Sequence, residues 1–204
     1  KNNNYKSITF DEIDNLKKNT KYFMITFDDG YEDVYENALP ILKKFNFTST
    51  CYFVTNYIGM YNIWDEDDIN FNKMKLMNIE QILKWHENGM KIGVHTANHK
   101  NLSKLNLNEQ ESEILDSINF FKSILSIDVK YFSYPFGKYD NKTLNLVRNN
   151  FKFAVTTKRS RYIGGKFKYH ELPRVPINKK TSLFKFFLKI KTPYEDIKYK
   201  KYYK

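Results

Sequence analysis

The 204-residue sequence contains one cysteine, two tryptophans, seven glycines and five prolines. The single cysteine, Cys51, excludes an intrachain disulfide, so oxidative cross-linking gives no indication of the compartment. Cys51 lies in an apolar run, and we interpret it as a buried, unreactive thiol. No internal repeat and no linker rich in glycine, serine or proline divides the chain, which favours one domain over residues 1–204.

Long hydrophobic runs are absent as well. No stretch approaches the length of a transmembrane helix, about 20 apolar residues, and no signal peptide is recognisable. The chain begins at Lys1 without an initiating methionine, so trimming of the N-terminus could have removed such a signal. The cell envelope and the cytoplasmic face of a membrane are both compatible with this sequence.

Negative charge is scarce relative to positive charge: 34 lysines and arginines oppose 23 aspartates and glutamates, a formal net charge of +11. Proteins that bind nucleic acids or anionic membranes often have such a balance. Lysine is spread over the whole sequence, however, and no nucleic-acid-binding motif accompanies it. We therefore expect no nucleic acid partner and attribute the charge to a general compositional bias.

The C-terminal tail, residues 181–204, is both basic and aromatic, and reads SLFKFFLK from Ser182 to Lys189. Two interpretations stay open. The tail could form an amphipathic helix that makes peripheral contact with a membrane surface, or a helix whose apolar stripe packs on its own domain. Stripes of this kind more often pack on their own domain, and we expect that here.

Apolar runs that resemble strands alternate with helical patterns, as a parallel α/β architecture requires. The predicted strands are Tyr22–Phe27, Ser49–Val54, Lys91–Val94, Val129–Ser133, Phe151–Thr156 and Glu171–Ile177.

Capping-box signals predict the starts of three helices. The first helix is short, the second closes at Gly89, and the third runs through Ile124. The capping pairs are Thr9 with Glu12, Asn78 with Gln81, and either Asn106 with Glu109 or Asn108 with Glu111.

Two carboxylates and two histidines form the most informative pattern. Asp28 and Asp29 close the first strand run and precede Gly30, which supplies a turn; His95 and His99 follow the third run. Strand ends meet at one edge of a parallel sheet, so these groups are expected to converge there. Two histidines and one carboxylate make a three-ligand metal site with open positions, and the second carboxylate is left as a general base.

Each half of this pattern is ordinary by itself, because Asp-Asp-Gly is usually a turn and two histidines four apart usually face solvent. Four segments together, however, resemble in sequence and order the motifs of the polysaccharide deacetylases, the NodB-homology enzymes of carbohydrate esterase family 4. The resemblance covers about Phe23 to Ile177 and implies a distorted (β/α) barrel and hydrolysis of N-acetyl groups on amino sugars. The segments are TFDDG (26–30), HTANH (95–99), FSYPFG (132–137) and LPRVP (172–176).

The resemblance also implies roles for single residues. Asp28 resembles the catalytic base, and Asp29, His95 and His99 resemble the metal ligands. A zinc ion is the implied cofactor, although two histidines and a carboxylate also suit cobalt, nickel or Fe(II).

A departure in the third motif points to a subgroup. The family's usual arginine is replaced by Ser133. Members similar to the poly-N-acetylglucosamine deacetylases also lack it and supply an arginine from the Leu-Pro-Arg segment, which is Arg174 here. We expect Arg174 to orient Asp28 and keep it ionised through a charge-assisted hydrogen bond.

The same motif is expected to line the site. The resemblance suggests that the backbone N–H of Phe136 stabilises the oxyanion, since Pro135 has no N–H to give. Phe136 is expected to line the site, and the role of Tyr134, at the site or in the core, stays open.

The general acid has no assigned residue. Many family members carry it in a late Leu-x-His motif, but no histidine follows His170 in this chain. The similar subgroup uses an early Tyr-His element, whereas this chain has Tyr5-Lys6-Ser7 there. His170 is a weak candidate for the acid, and His86 is interpreted as structural.

The stretch Asn56–Met77 breaks the alternation of strands and helices and is interpreted as an insertion loop near the mouth of the site. Its acidic cluster, WDEDD at 64–68, lacks the glycine turn and the terminal glutamate of an EF-hand, so we expect a solvated loop. Trp64 is a candidate for stacking on a sugar ring, and the 16 tyrosines supply further candidates.

Residues and resemblance together predict a metal-dependent hydrolase that removes N-acetyl groups from an acetylated amino-sugar glycan of bacterial type. A peptidoglycan or chitin-oligomer deacetylase is the alternative among enzymes. A catalytically impaired carbohydrate-binding protein that keeps the fold and metal is the alternative outside them. The order of the motifs argues against an Fe(II) oxygenase.

Overall fold

The computed structural model describes residues 5–66, 69, 71–162 and 167–200. Its strands form two sheets, and every pairing within them is parallel. The smaller sheet pairs β1 (Tyr5–Ser7) with β2 (Lys21–Phe23). The larger sheet has six strands in chain order: β3 (Thr26–Phe27), β4 (Thr50–Phe53), β5 (Lys91–Val94), β6 (Tyr131–Ser133), β7 (Phe153–Arg159) and β8 (Leu172–Arg174).

Helices lie in each of the four connections from β3 to β7, because parallel strands need a crossover between them. Short 3₁₀ turns occupy Phe10–Asn15, Thr55–Tyr57, Ile63–Asp65, Leu102–Lys104 and Pro135–Gly137, and a π-helical turn occupies Val34–Ala38. The α-helices of the described residues are α1 (Leu39–Phe45), α2 (Ile79–Glu87), α3 (Leu107–Leu125), α4 (Asn141–Asn150), α5 (Leu183–Lys191) and α6 (Tyr194–Tyr199).

The capping signals are confirmed. Asn78 caps α2 through a reciprocal capping box, and Thr9 precedes a 3₁₀ turn with its N–H and hydroxyl both donating to the carboxylate of Glu12. For α3 the alternatives resolve to Asn106, whose Oδ1 accepts from the backbone N–H of Glu109 at 3.1 Å. Gly89 follows α2 with a φ of +81°, a left-handed conformation that favours glycine.

The first predicted strand is wrong as a single element, because the run Tyr22–Phe27 divides between the two sheets. Its first part belongs to β2, and its last two residues form β3, which pairs with β4. Met24 packs with one hydrophobic cluster and Ile25 with another. The residues between β2 and β3 are therefore also apolar, and the sequence pattern does not show that the chain passes from one sheet to the other there. The last predicted strand, Glu171–Ile177, shortens to β8.

Both faces of the six-stranded sheet are buried. On one face lies the main core with the helices, which includes Trp85 and Phe121. On the other face a smaller cluster is closed by Phe10 and Ile13 of the N-terminal 3₁₀ turn. Burial on both sides explains why apolar residues follow one another without alternation, as at residues 51–53 and 153–155. Cys51 is fully buried in β4, as expected.

The sheet curls until its two edge strands approach each other. Arg174, the last residue of β8, donates from Nη1 to Thr26 Oγ1 of β3 at 3.3 Å. Strands β3 and β8 stand at opposite ends of the strand order, so this contact requires strong curvature. The expected distorted barrel is thus confirmed.

The described residues of the segment Asn56–Met77 include two short connections to the fold. The segment returns to the fold through antiparallel bridges, Tyr61 with Lys75 and Tyr31 with Leu76. Leu76 and Met77 are buried in the core. Of the acidic cluster, Asp67 and Asp68 lie outside the described residues.

The expected packing of the tail's apolar stripe is wrong for α5. Leu183 and Phe184 are 88% and 71% exposed, whereas Lys189 is only 7% exposed. The helix therefore turns Lys189 toward the protein, and Leu183, Phe184 and Phe187 outward. Within the described residues, no helix combines the length and the apolar character needed to cross a bilayer.

Candidate active site

The predicted site residues converge at the carboxyl edge of the six-stranded sheet. Asp28 follows β3 and His95 follows β5, while Ser133 and Arg174 are the last residues of β6 and β8. This is the edge at which parallel α/β folds place their functional groups, because the connecting loops leave the strands there.

Asp29, His95 and His99 form a compact ligand set. The two Nε2 atoms of His95 and His99 lie 3.2 Å apart, and Asp29 Oδ1 lies 3.5 Å from each of them. Ligand atoms of all three residues fall within 4.8 Å of one another, and both histidines are buried. Three donor atoms of this kind, gathered out of solvent, suit a divalent transition metal ion.

The tautomer of His95 fits that assignment. Its Nδ1 lies 2.6 Å from the carbonyl oxygen of Ser133, and since a carbonyl can only accept, Nδ1 must carry the proton. The lone pair of Nε2 is then directed toward His99 and Asp29. Burial, reinforced by the nearby His95, lowers the pKa of His99 to about 2, which keeps that ring neutral as a ligand must be.

Strained backbone shapes the loops that carry these ligands. Asp29, Thr96, His99 and Phe136 have φ values of +72°, +67°, +57° and +57°, a region that non-glycine residues rarely enter. Gly30 continues the turn at +79°, and a Cβ there would lie 2.5 Å from the ring of Phe53. The turn predicted after the two aspartates therefore exists, but Asp29 itself adopts the left-handed conformation.

A buried carboxylate from α3 holds the histidine loop, and sequence reasoning did not identify it. Glu113 accepts from the backbone N–H of Asn98 at 2.8 Å and from Asn98 Nδ2 at 2.9 Å. Its own carbonyl oxygen accepts from the N–H of Ala97 at 2.9 Å. The sequence feature that could have identified Glu113 is a charged residue among the positions of α3 that face the core. The buried residues of this helix are Gln110, Glu113, Ile114, Ser117 and Phe121.

Asp28 and Arg174 form a bidentate pair. Arg174 Nη1 and Nη2 donate to the two carboxylate oxygens of Asp28, each at 2.7 Å. Arg174 is held in turn by Nε, which donates to the carbonyl oxygen of Thr156 at 3.0 Å. Burial raises the pKa of Asp28, but the charge and hydrogen bonds of Arg174 outweigh it and bring the pKa to about 2. The geometry is that of an oriented, permanently ionised carboxylate.

Aromatic rings surround His99 on the open side. The ring centroids of Trp64 and Phe136 lie 4.8 and 4.7 Å from that of His99, and Tyr57 packs against Trp64 at 5.3 Å. Phe136 is 48% exposed, so it presents its ring to solvent beside the ligand set. Pro135 begins the same turn and is buried. The role of the Phe136 N–H in binding an oxyanion stays a prediction.

Tyr134 belongs to the core and not to the lining of the site. Its ring is 1% exposed and packs 4.4 Å from that of Tyr139. Its hydroxyl donates to the carbonyl oxygen of His170 at 2.9 Å. Burial raises the pKa of Tyr134 far above its ordinary value, so the hydroxyl is a fixed donor within the fold.

The two remaining histidines lie at the opposite, amino edge of the sheet. His170 Nε2 is 2.8 Å from the carbonyl oxygen of Phe151, which precedes β7. His86 Nδ1 is 3.4 Å from the carbonyl oxygen of Met90, which precedes β5. The structure therefore does not bring His170, the weak candidate for the general acid, to the edge that holds the ligand set, and the structural interpretation of His86 agrees with its position.

Comparison with known proteins gives a consistent result. The family model described as polysaccharide deacetylase matches residues 15–151, a range that contains Asp28 and the three ligands but not Arg174. The chain is 32% identical over 142 residues to YxkH of Bacillus subtilis, covering 69% of this chain and 46% of that protein. It is 27% identical over 161 residues to a poly-beta-1,6-N-acetyl-D-glucosamine N-deacetylase of Staphylococcus aureus, covering 72% and 53% respectively.

Solved structures agree in fold. The deacetylase PplD of Streptococcus pyogenes, in complex with acetate, superposes with a TM-score of 0.74 at 25% identity, over 92% of this chain and 80% of that one. IcaB of Ammonifex degensii superposes with a TM-score of 0.72 at 21% identity, over 87% and 78%. The chain spans about half the length of the curated relatives it matches.

Proposed function

Because the chain belongs to the polysaccharide deacetylase family, we propose that it is a metal-dependent hydrolase that removes N-acetyl groups from a polymer of N-acetylated amino sugars. The observation that carries the proposal is the meeting of the Asp28–Arg174 pair with the Asp29, His95 and His99 ligand set at one sheet edge. The similarity to an N-deacetylase of poly-beta-1,6-N-acetyl-D-glucosamine supports that polymer as the first substrate to test.

Amide hydrolysis needs a water molecule that loses a proton as its oxygen attacks the acetyl carbonyl carbon. Asp28 is the base in this proposal, since it is ionised at neutral pH and accepts the water proton on a carboxylate oxygen. Arg174 fixes the plane of that carboxylate through its two hydrogen bonds and so limits the directions from which the proton can arrive. The C–N bond then breaks as the sugar nitrogen takes up a proton, either the one that Asp28 accepted or one from solvent, and the products are acetate and a protonated amine on the sugar.

Asp29, His95 and His99 would hold the metal ion, with zinc the first choice for two imidazole nitrogens and a carboxylate oxygen. A bound ion of this type lowers the pKa of water and polarises a carbonyl group. The carbonyl oxygen of Ser133 fixes the ring of His95, as outer partners of metal-bound histidines commonly do. Trp64 and Phe136 beside His99 offer apolar faces on which a sugar ring could stack.

A second candidate function rests on one observation: neither histidine outside the ligand set reaches the carboxyl edge. Departure of the amine needs a proton, and a histidine acid is therefore missing among the described residues. A protein that keeps the fold and the metal but binds the glycan without cleaving it would have this arrangement.

Acetate release separates the two candidates. The 204-residue chain, loaded with Zn²⁺ or Co²⁺, would be incubated with β-1,6-linked N-acetylglucosamine oligomers, with chitin oligomers and with peptidoglycan fragments. Chelator-sensitive acetate from the first substrate supports the proposal. Metal-loaded protein that binds the oligomers in calorimetry but releases no acetate would replace it with the binding function, and preference for chitin or peptidoglycan would change the substrate.

A further inference from the structure

Helix α5 is attached to the protein by its polar side. Lys189 is 7% exposed, and its Nζ lies 3.1 Å from Glu195 of α6, which is itself almost completely buried. The same ammonium donates to the carbonyl oxygen of Pro176. Arg159, at the end of β7, lies 3.3 Å from the other oxygen of Glu195. A buried ion pair with one additional hydrogen bond, from Lys189 to Pro176, fixes the orientation of the helix, because separating either charge from its partner is costly.

This attachment directs the apolar side of α5 outward. Residues two apart on an α-helix project about 200° apart, so burial of Lys189 places Phe187 on the opposite, solvent-facing side. We call the exposed apolar residues of the two C-terminal helices that point away from Lys189 the outer face. Its members are Leu183, Phe184, Phe187 and Ile190 of α5, and Ile197 of α6.

An exposed apolar face of this kind marks a surface that another molecule covers. The charge around the face indicates what kind of molecule that is. Lysines 179, 180, 185 and 191 flank the apolar residues in sequence, and no acidic residue occurs between Glu171 and Glu195. Phenylalanine and leucine on one side of a helix with lysine around them is the composition of helices that lie in the headgroup region of anionic membranes. Two copies of the same face would instead bring lysines against lysines.

We propose that the outer face is a membrane-docking surface, which inserts Leu183, Phe184 and Phe187 into the interface of a bilayer that contains anionic lipids. The attachment points, Arg159 and Pro176, lie at or just beyond the carboxyl ends of β7 and β8. Docking would therefore place the candidate active-site edge of the sheet on the membrane side. The proposal does not depend on the deacetylase activity.

Vesicle flotation tests it on the 204-residue chain. Vesicles of phosphatidylcholine alone would be compared with vesicles of phosphatidylcholine and phosphatidylglycerol, at low and high salt. We expect binding to the anionic vesicles that weakens at high salt. The double variant Phe184→Gln with Phe187→Gln should bind at least about tenfold more weakly, since two large apolar side chains are lost from the contact.

Phe45→Gln is the matched control, because Phe45 is also an exposed phenylalanine near the end of a helix but lies in α1; it should bind as the parent does. Absence of binding to anionic vesicles, or equal binding by the double variant, would overturn the proposal. Self-association in sedimentation velocity, abolished by the double variant and without any vesicle binding, would assign the face to a second copy of the chain.

Discussion

The two edges of the six-stranded sheet use histidine differently. At the carboxyl edge, His95 and His99 direct Nε2 toward each other and toward Asp29. At the amino edge, His86 and His170 lie against main-chain carbonyl oxygens of Met90 and Phe151. His95 also directs Nδ1 to a main-chain carbonyl oxygen, that of Ser133. The difference lies in its second ring nitrogen, Nε2, which faces the ligand atoms of His99 and Asp29 and can therefore bind a metal ion.

Each edge of the sheet also holds an aspartate that is paired with other side chains. Asp28, at the carboxyl edge, is held by the guanidinium of Arg174. Asp11, at the amino edge, accepts from the hydroxyl of Tyr131 and lies 3.5 Å from Lys152. Burial opposes ionisation of both carboxyl groups and the partners overcome it, so both pKa values are lowered. A lowered pKa alone therefore does not identify the functional carboxylate; its position next to the ligand set does.

Replacing histidine by alanine should give the largest difference in zinc binding between the two edges of the sheet. His95→Ala or His99→Ala should weaken zinc binding more than about 100-fold, the upper range for loss of an outer partner, and abolish acetate release. His86→Ala and His170→Ala should retain the metal because they lie at the amino edge. Elemental analysis of the dialysed proteins measures this, and full metal content in His99→Ala would remove that residue from the ligand set.

The second comparison concerns the two aspartates. Asp28→Asn should lower acetate release by about 10²- to 10⁴-fold, as loss of a general base does, while the metal stays bound. Asp11→Asn is the control for the same chemical change and should keep the rate, with some loss of thermal stability. Initial rates of acetate release by the metal-loaded proteins measure both effects. Comparable rates for Asp28→Asn and the parent would show that another group takes the proton.

The third comparison concerns two arginine–carboxylate pairs. Arg174→Ala should lower the rate by about 100-fold, because Asp28 loses both its orientation and its charge partner. Arg161, whose Nε lies 2.7 Å from Asp196, makes a similar pair away from the ligand set, and Arg161→Ala should leave the rate unchanged. Equal effects of both substitutions would mean that Arg174 acts only through general stability.

The smallest expected effect is that of a substitution at Glu113, which supports the loop that carries the two histidines. Glu113→Gln keeps the shape of the side chain but provides only one acceptor oxygen for the two Asn98 donors. We expect about tenfold weaker metal binding, with the rate of the fully loaded enzyme much less affected. Glu111→Gln makes the same change on the same helix and should have no effect. A zinc titration measures both, and unchanged affinity in Glu113→Gln would show that the loop keeps its shape without this contact.

Much of the site could be predicted because its signals are local. Asp28, Asp29, His95 and His99 stand beside strand ends in the sequence, and the capping pairs at Asn78 and Asn106 are confirmed by their hydrogen bonds. Arg174 was predicted through a resemblance, and its two bonds to Asp28 agree with that prediction. Glu113 was missed, since its partner Asn98 is distant in sequence and becomes its neighbour only when α3 packs.

The sequence by itself determined the candidate ligands and base, where the helices α2 and α3 begin, and that apolar strands alternate with helices. These properties follow from side-chain type and from spacing along the chain. Tertiary structure decided that Tyr22–Phe27 divides between two sheets, that Tyr134 and His170 lie outside the site, and that α5 turns Phe187 outward. Each of these depends on which distant element a side chain meets, as Lys189 meets Glu195, and periodicity within one segment does not encode that partner.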